Sequence, residues 1–188
     1  MHRRQAIQNV ALLLGGTLVG GKLFLAGGCK PATPTVEALF TPEMQALLGE
    51  IAETILPATS TPGAKEAGVG EFIPVMVKDC YDEKQQKVFM DGIAAIEKLS
   101  KEKYGNGFMK ISAEQRTELL TQLDKEQKEF QNKNDNDALP HYFRLMKELT
   151  LLGFFTSEAG ATKALRYNPV PGRYEGCIDY KKGDRAWA

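Results

Sequence analysis

The chain has 188 residues, 43% of them hydrophobic and 26% charged, with 24 basic against 24 acidic side chains. That balance lacks the basic excess of a nucleic-acid binder, and a mean hydropathy of -0.31 excludes a polytopic membrane protein. Eighteen glycines and nine prolines are ordinary numbers, which excludes collagen-like and wholly disordered chains.

Charge is unevenly spread. Residues 1–28 hold Arg3, Arg4 and Lys22 and no acid, so the remainder carries a net charge of -3. An apolar run, Val10 to Val19, follows the cationic start and is shorter than the ~20 residues that span a bilayer. This is the pattern of an export signal. The Arg3-Arg4 pair resembles a twin-arginine signal, read by an exporter of folded proteins, with Ile7 at a usual apolar position. A plain secretory signal that happens to hold two arginines is the competing reading. Leu25-Ala26-Gly27-Gly28-Cys29 resembles a bacterial lipobox, with Ala26 where Leu is usual. Cys29 would then carry the lipid, and the alternative is a cysteine in a discarded leader. Burial of each acyl CH₂ contributes about 0.8 kcal/mol, so several chains anchor a protein firmly. The expected organisation is an export signal over 1–28, an extended tether over 29–38 and one domain over 39–188. The protein is expected outside the cytoplasm, in the periplasm or anchored to a membrane of the cell envelope.

Thr41-Pro42-Glu43 opens the first helix: a capping hydroxyl, proline at the first position and an acid at the positive end. Met44, Leu47, Leu48, Ile51 and Ile55 form its apolar face, and Pro57 ends it. Breakers from Pro57 to Ala64 predict a loop. A second helix is expected over Val69–Tyr81, with Phe72, Val75, Met76 and Cys80 as its buried stripe and Pro74 in its first turns, where a missing N–H does little harm. A third runs from about Glu83 to Lys103 on Phe89, Ile93, Ile96 and Leu99, with Gly92 as a weak point and Gly105 as a stop. Ser112 and Gln115 resemble a capping box for a charged fourth helix reaching about Phe130, anchored by Leu119, Leu120 and Leu123.

Gln131–Asp137 predicts a polar connection. The fifth helix, from His141 to about Phe155, is the most apolar and is expected at the centre of the domain. A short helix is expected near Ser157–Leu165. Nothing alternates with period two, and from Arg166 onward breakers alternate with Tyr167, Tyr174, Tyr180 and Trp187. The fold class is therefore all-α: one helical domain of five to six helices with an irregular, aromatic-rich C-terminal tail.

Chemistry-bearing patterns are few. Neither HExxH nor CxxC occurs, and no GxGxxG follows a strand, so no catalytic, metal-binding or cofactor-binding residue is assigned in this chain. His141 opens a helix, where a cationic imidazole faces the positive end of the dipole. A surface or interface hydrogen bond suits it better than acid–base work. Glu50 and Glu53 share one face of the first helix and read as a solvated face rather than a carboxylate pair. In an oxidising compartment Cys80 and Cys177 suggest one disulfide, and closing that 97-residue span would contribute about 4–5 kcal/mol. Unpaired thiols, a reactive Cys177 and a bond to another subunit are the alternatives.

Three stretches carry a resemblance to the gluconate 2-dehydrogenase subunit 3 family. They are Ile51–Pro57 with Pro62-Gly63-Ala64 and Phe72-Ile73; Phe143–Thr150 with Gly153–Glu158 and Gly160; and Tyr167 with Pro169–Gly172 and Tyr174–Cys177. The likeness covers nearly all of 39–178, with Asp82–Asp137 matching only as helix. It implies a non-catalytic small subunit of an exported complex. A large FAD-dependent subunit would oxidise a sugar, sugar acid or polyol and pass electrons to a cytochrome c subunit or to quinone. The small subunit would support assembly, stability and co-export of that flavoprotein. In this setting Tyr167, Pro171, Tyr174, Tyr180 and Trp187 are the expected partner interface, since aromatic side chains give large contact area at low entropic cost. The competing reading has these rings cover the domain's own core. A stand-alone helical periplasmic lipoprotein acting as a binding module is the alternative function.

Overall fold

The computed structural model describes residues 40–133, 138–170, 172–173 and 175–187. The expected signal with Arg3 and Arg4, Cys29 and the tether lie outside these residues, as do Pro171 and Tyr174 of the tail. Among the described residues five α-helices run in order: α1 Pro42–Ile55, α2 Val69–Cys80, α3 Glu83–Tyr104, α4 Ala113–Lys133 and α5 Tyr142–Thr156. A 3-10 turn, Phe108–Lys110, joins α3 to α4, and a π-helical turn, Gly160–Ala164, follows α5. The only strand-like pairing described is an isolated bridge between Arg166 and Trp187. The expected all-α domain is thus what the chain forms.

Local chemistry sets most of these boundaries. The Thr41 hydroxyl accepts from the Met44 N–H at 3.4 Å and Pro42 occupies the first position of α1. Asp82 caps α3 in a reciprocal box with Gln85, at 2.8 and 3.2 Å. Gly105 ends α3 at φ 74°, in the left-handed region that a side chain disfavours. Ser112 and Gln115 make the expected box at the start of α4. That helix continues through Lys133, so Gln131–Lys133 belong to it rather than to the polar connection.

α5 packs against all four other α-helices, which places it at the centre. Phe143, Leu145, Met146, Leu149 and Phe154 are buried along it, while Leu152 and Phe155 face outward. Phe89, Ile96, Phe108, Leu119, Leu123 and Leu48 complete the core around it. The helices meet closely where glycine permits it. A Cβ on Gly92 of α3 would lie 2.4 Å from Tyr142 Cβ on α5, and one on Gly70 of α2 would lie 2.7 Å from the Gln45 carbonyl oxygen of α1. The weak point expected at Gly92 is therefore a joint.

The buried stripe of α2 differs from expectation. Val69, Ile73 and Val77 are buried, whereas Val75 is 55% exposed and Cys80 is exposed. Both sets have helical spacing, and the β-branched set wins because it faces α1 and the core. Phe72, from the expected stripe, packs over Gly153 of α5, where a Cβ would lie 2.6 Å from its ring.

One cation joins several elements. Arg116 of α4 pairs through Nη1 with Glu50 of α1. Its Nε and Nη2 donate to the carbonyls of Phe108 and Met109 at 3.0 and 2.8 Å, and the guanidinium lies 5.6 Å from the Phe108 ring centroid.

Candidate functional site

Glu50 and Glu53 do not form a solvated face. Glu50 accepts from Arg116 and, at 2.8 Å, from Lys65 of the α1–α2 loop. The Lys65 hydrogen bond, with both cations nearby, holds the Glu50 carboxyl below the usual carboxylate range. Glu53 accepts the backbone N–H of Ala58 at 3.0 Å and of Lys65 at 2.8 Å. Gly63 lies directly over it, so a Cβ there would fall 2.2 Å from the carboxylate. Both carboxylates hold Lys65, Glu50 by its Nζ and Glu53 by its N–H, and together they shape the loop between α1 and α2.

His141 stands at the N-cap of α5. Its Nδ1 accepts from the Phe143 N–H at 3.2 Å, which requires the neutral ring. Burial against Phe130 and Tyr142 lowers its pKa, which favours that same form. The histidine is a helix cap: its hydrogen bond is to its own helix rather than to a surface or interface partner.

The expected bridge between Cys80 and Cys177 is not formed; both are free, exposed thiols. Cys80 ends α2, with its sulfur 4.0 Å from Met76 Sδ. The tail is anchored at the π-helical turn, which shares a groove with Glu66 and Ala67 before the start of α2. Cys80 lies at the other end of that helix, on the order of 17 Å away along its axis.

The described part of the tail is tied at its two ends. Arg185 Nη1 donates to the carbonyls of Thr162 and Lys163 at 3.0 and 2.9 Å, capping the π-helical turn. The Arg166 N–H bonds the Ala186 carbonyl at 2.8 Å and its Nε bonds that of Arg185 at 2.6 Å. Its guanidinium pairs with Asp184 at 3.6 Å and lies 5.0 Å from the Trp187 ring centroid. Asp184 accepts from the Lys181 N–H at 3.0 Å, and Gly183 supplies the turn at φ 98°. Among the described residues of the tail, Tyr167 is 57% exposed, Tyr180 75% and Trp187 55%, with Val170 and Ile178 also exposed. Tyr167, Tyr180 and Trp187 are therefore not buried in the domain's own core.

A family model described as gluconate 2-dehydrogenase subunit 3 matches residues 42–172. The chain belongs to the gluconate 2-dehydrogenase subunit 3 family. No curated protein and no solved structure matches it. The family is one of dehydrogenase subunits, so membership implies association with a larger dehydrogenase subunit.

The residues that carried the resemblance are joints of this gluconate 2-dehydrogenase subunit 3 fold. Glu53 and Gly63 lock the first loop, and Gly153 receives Phe72. Ser157 ends α5 by donating to the Phe154 carbonyl at 2.7 Å and accepting from the Gly160 N–H at 3.0 Å. Sequence reasoning missed Arg166 and Arg185, most of whose partners are backbone carbonyls with no signature. It also missed the outward face of Val75, Leu152 and Phe155, whose apolar composition reads as core. The spread of apolar residues over more than one side of α2 was the available signal. Among the described residues no group of three or more His, Cys, Asp or Glu is placed to hold a metal ion. None of the described helices is long and apolar enough to cross a membrane.

Proposed function

We propose that this chain is the non-catalytic small subunit of an exported dehydrogenase complex and docks on its larger subunit through the C-terminal tail. The larger subunit holds FAD and oxidises a sugar, sugar acid or polyol. Electrons leave it for a cytochrome c subunit or quinone. Family membership supports the assignment to a dehydrogenase complex. The observation that carries the docking role is the outward exposure of Tyr167, Tyr180 and Trp187 on a tail tied down on both sides. Large aromatic groups held in water become favourable once a partner covers them, at roughly 25 cal/mol per Å² of apolar surface.

The leader supports co-export: Arg3-Arg4 resembles the signal of a route for folded proteins, and a flavoprotein loaded with FAD in the cytoplasm must cross folded. A lipidated Cys29 would hold the complex at a membrane surface.

Co-expression with the larger subunit tests the docking. Truncation after Leu165 is expected to abolish co-purification while the helical domain stays folded by circular dichroism; unchanged complex yield refutes it. Replacing Arg3 and Arg4 together by lysine tests export. The larger subunit is expected to stay in the cytoplasm, and its appearance outside in normal amount removes co-export while leaving subunit membership intact.

A further inference from the structure

The tail presents an imbalance. Fixing a backbone costs about 1–2 kcal/mol per residue, normally offset by burial. Here Arg166 and Arg185 hold the chain through backbone carbonyls, yet Tyr167, Ile178 and Tyr180 between them remain exposed. In this stretch Arg173 pairs with Glu175 and Arg166 with Asp184. Beside these pairs the loop offers the exposed apolar side chains of Tyr167, Val170, Ile178 and Tyr180.

We infer that Arg166 and Arg185 are positioning residues for partner docking. They close the tail into a preshaped loop that enters an apolar cleft of the larger dehydrogenase subunit. This rests on the docking role proposed above, and family membership supplies the occupant. Arg185 itself is occupied by Thr162 and Lys163, so its part is indirect. A loop ordered beforehand loses less freedom on binding, which strengthens the complex without adding a contact.

The test measures affinity of the full chain for the larger subunit by calorimetry, with amide exchange of the free chain alongside. The double variant Arg166→Ala/Arg185→Ala is expected to bind about tenfold more weakly or worse. Its loop amides should exchange faster while its melting temperature is nearly unchanged. Arg185→Lys should restore much of the affinity, because an ammonium can still donate to both carbonyls. Tyr167→Ala/Tyr180→Ala, which leaves the ties intact, reports on the contact itself. Unchanged affinity of the arginine variant alone overturns the preshaping and leaves docking standing, as does full protection of its loop amides. Unchanged affinity of the tyrosine variant as well overturns the docking reading.

Discussion

Gly49 and Gly92 are both buried in helix interiors, and alanine at either should act oppositely on stability. Helix propensity alone favours alanine over glycine by about 1 kcal/mol. At Gly49 the new methyl finds Gly70 Cα and Lys65 Cγ at 3.9 Å, an ordinary contact, so the full gain is expected. At Gly92 it would sit 2.4, 2.5 and 2.6 Å from Cβ, Cγ and Cδ2 of Tyr142. These atoms form the root of the side chain and cannot swing away, so α3 and α5 must separate by about 1 Å to restore contact distances near 3.5–4.0 Å. Overpacking of this kind costs about 1–3 kcal/mol, and the high end applies where two central helices must move. Net of propensity, Gly92→Ala should lose about 2 kcal/mol. In a domain of this size that lowers the melting temperature by about 4–8 °C, while Gly49→Ala raises it by about 2–4 °C. Urea denaturation followed by circular dichroism separates the two cases, provided the slope with denaturant is unchanged. Gly92→Ala at least as stable as the natural chain would refute the joint.

The loop between α1 and α2 should depend on Glu53. Glu53→Ala leaves the Ala58 and Lys65 N–H groups without their acceptor and should cost about 1–2 kcal/mol, with faster amide exchange across residues 57–68. Unchanged exchange there would separate the carboxylate from the loop. Acid should destabilise the domain in two stages. His141 has its pKa lowered by burial from 6.5, so the stability its neutral ring provides is complete above that value and fades as pH falls through the folded value. Hydrogen bonds from Lys128 and Lys147 hold Asp124 down at about 2 from 3.8, and Lys65 with Arg116 lowers Glu50 from 4.5. Their contribution is complete above those unfolded values; that of Glu50 is lost as pH falls through its lowered value, and that of Asp124 as pH falls toward about 2. Asp124→Asn should flatten the lower limb of a stability-against-pH curve, and an unaltered limb would disprove the role of that pair.

Local patterns carried far in this chain, and long-range geometry did not. Thr41, Ser112 and Gly105 marked ends of α1, α4 and α3 because a cap or a left-handed turn is satisfied within a few residues. The centrality of α5 was legible from the width of its apolar face. On α2 two helical stripes overlap, and nothing within twelve residues says which one meets α1. Glu50 looked solvated because its partner Arg116 lies 66 positions away. At the tail, composition showed the aromatic surface. The ties that shape it run to main-chain oxygens, which every residue possesses.

Arg116 reaches groups separated from it by very different lengths of chain, Met109 only 7 positions back and Glu50 66. The short closure is available as soon as α4 begins to form. The long one must wait for α2 and α3 to collapse between its ends, since entropy opposes large loops until other contacts offset it. The junction is thus expected to fasten late, so that losing it should quicken the opening of the finished molecule more than it slows its formation, on the kinetic rather than the assembly side of durability.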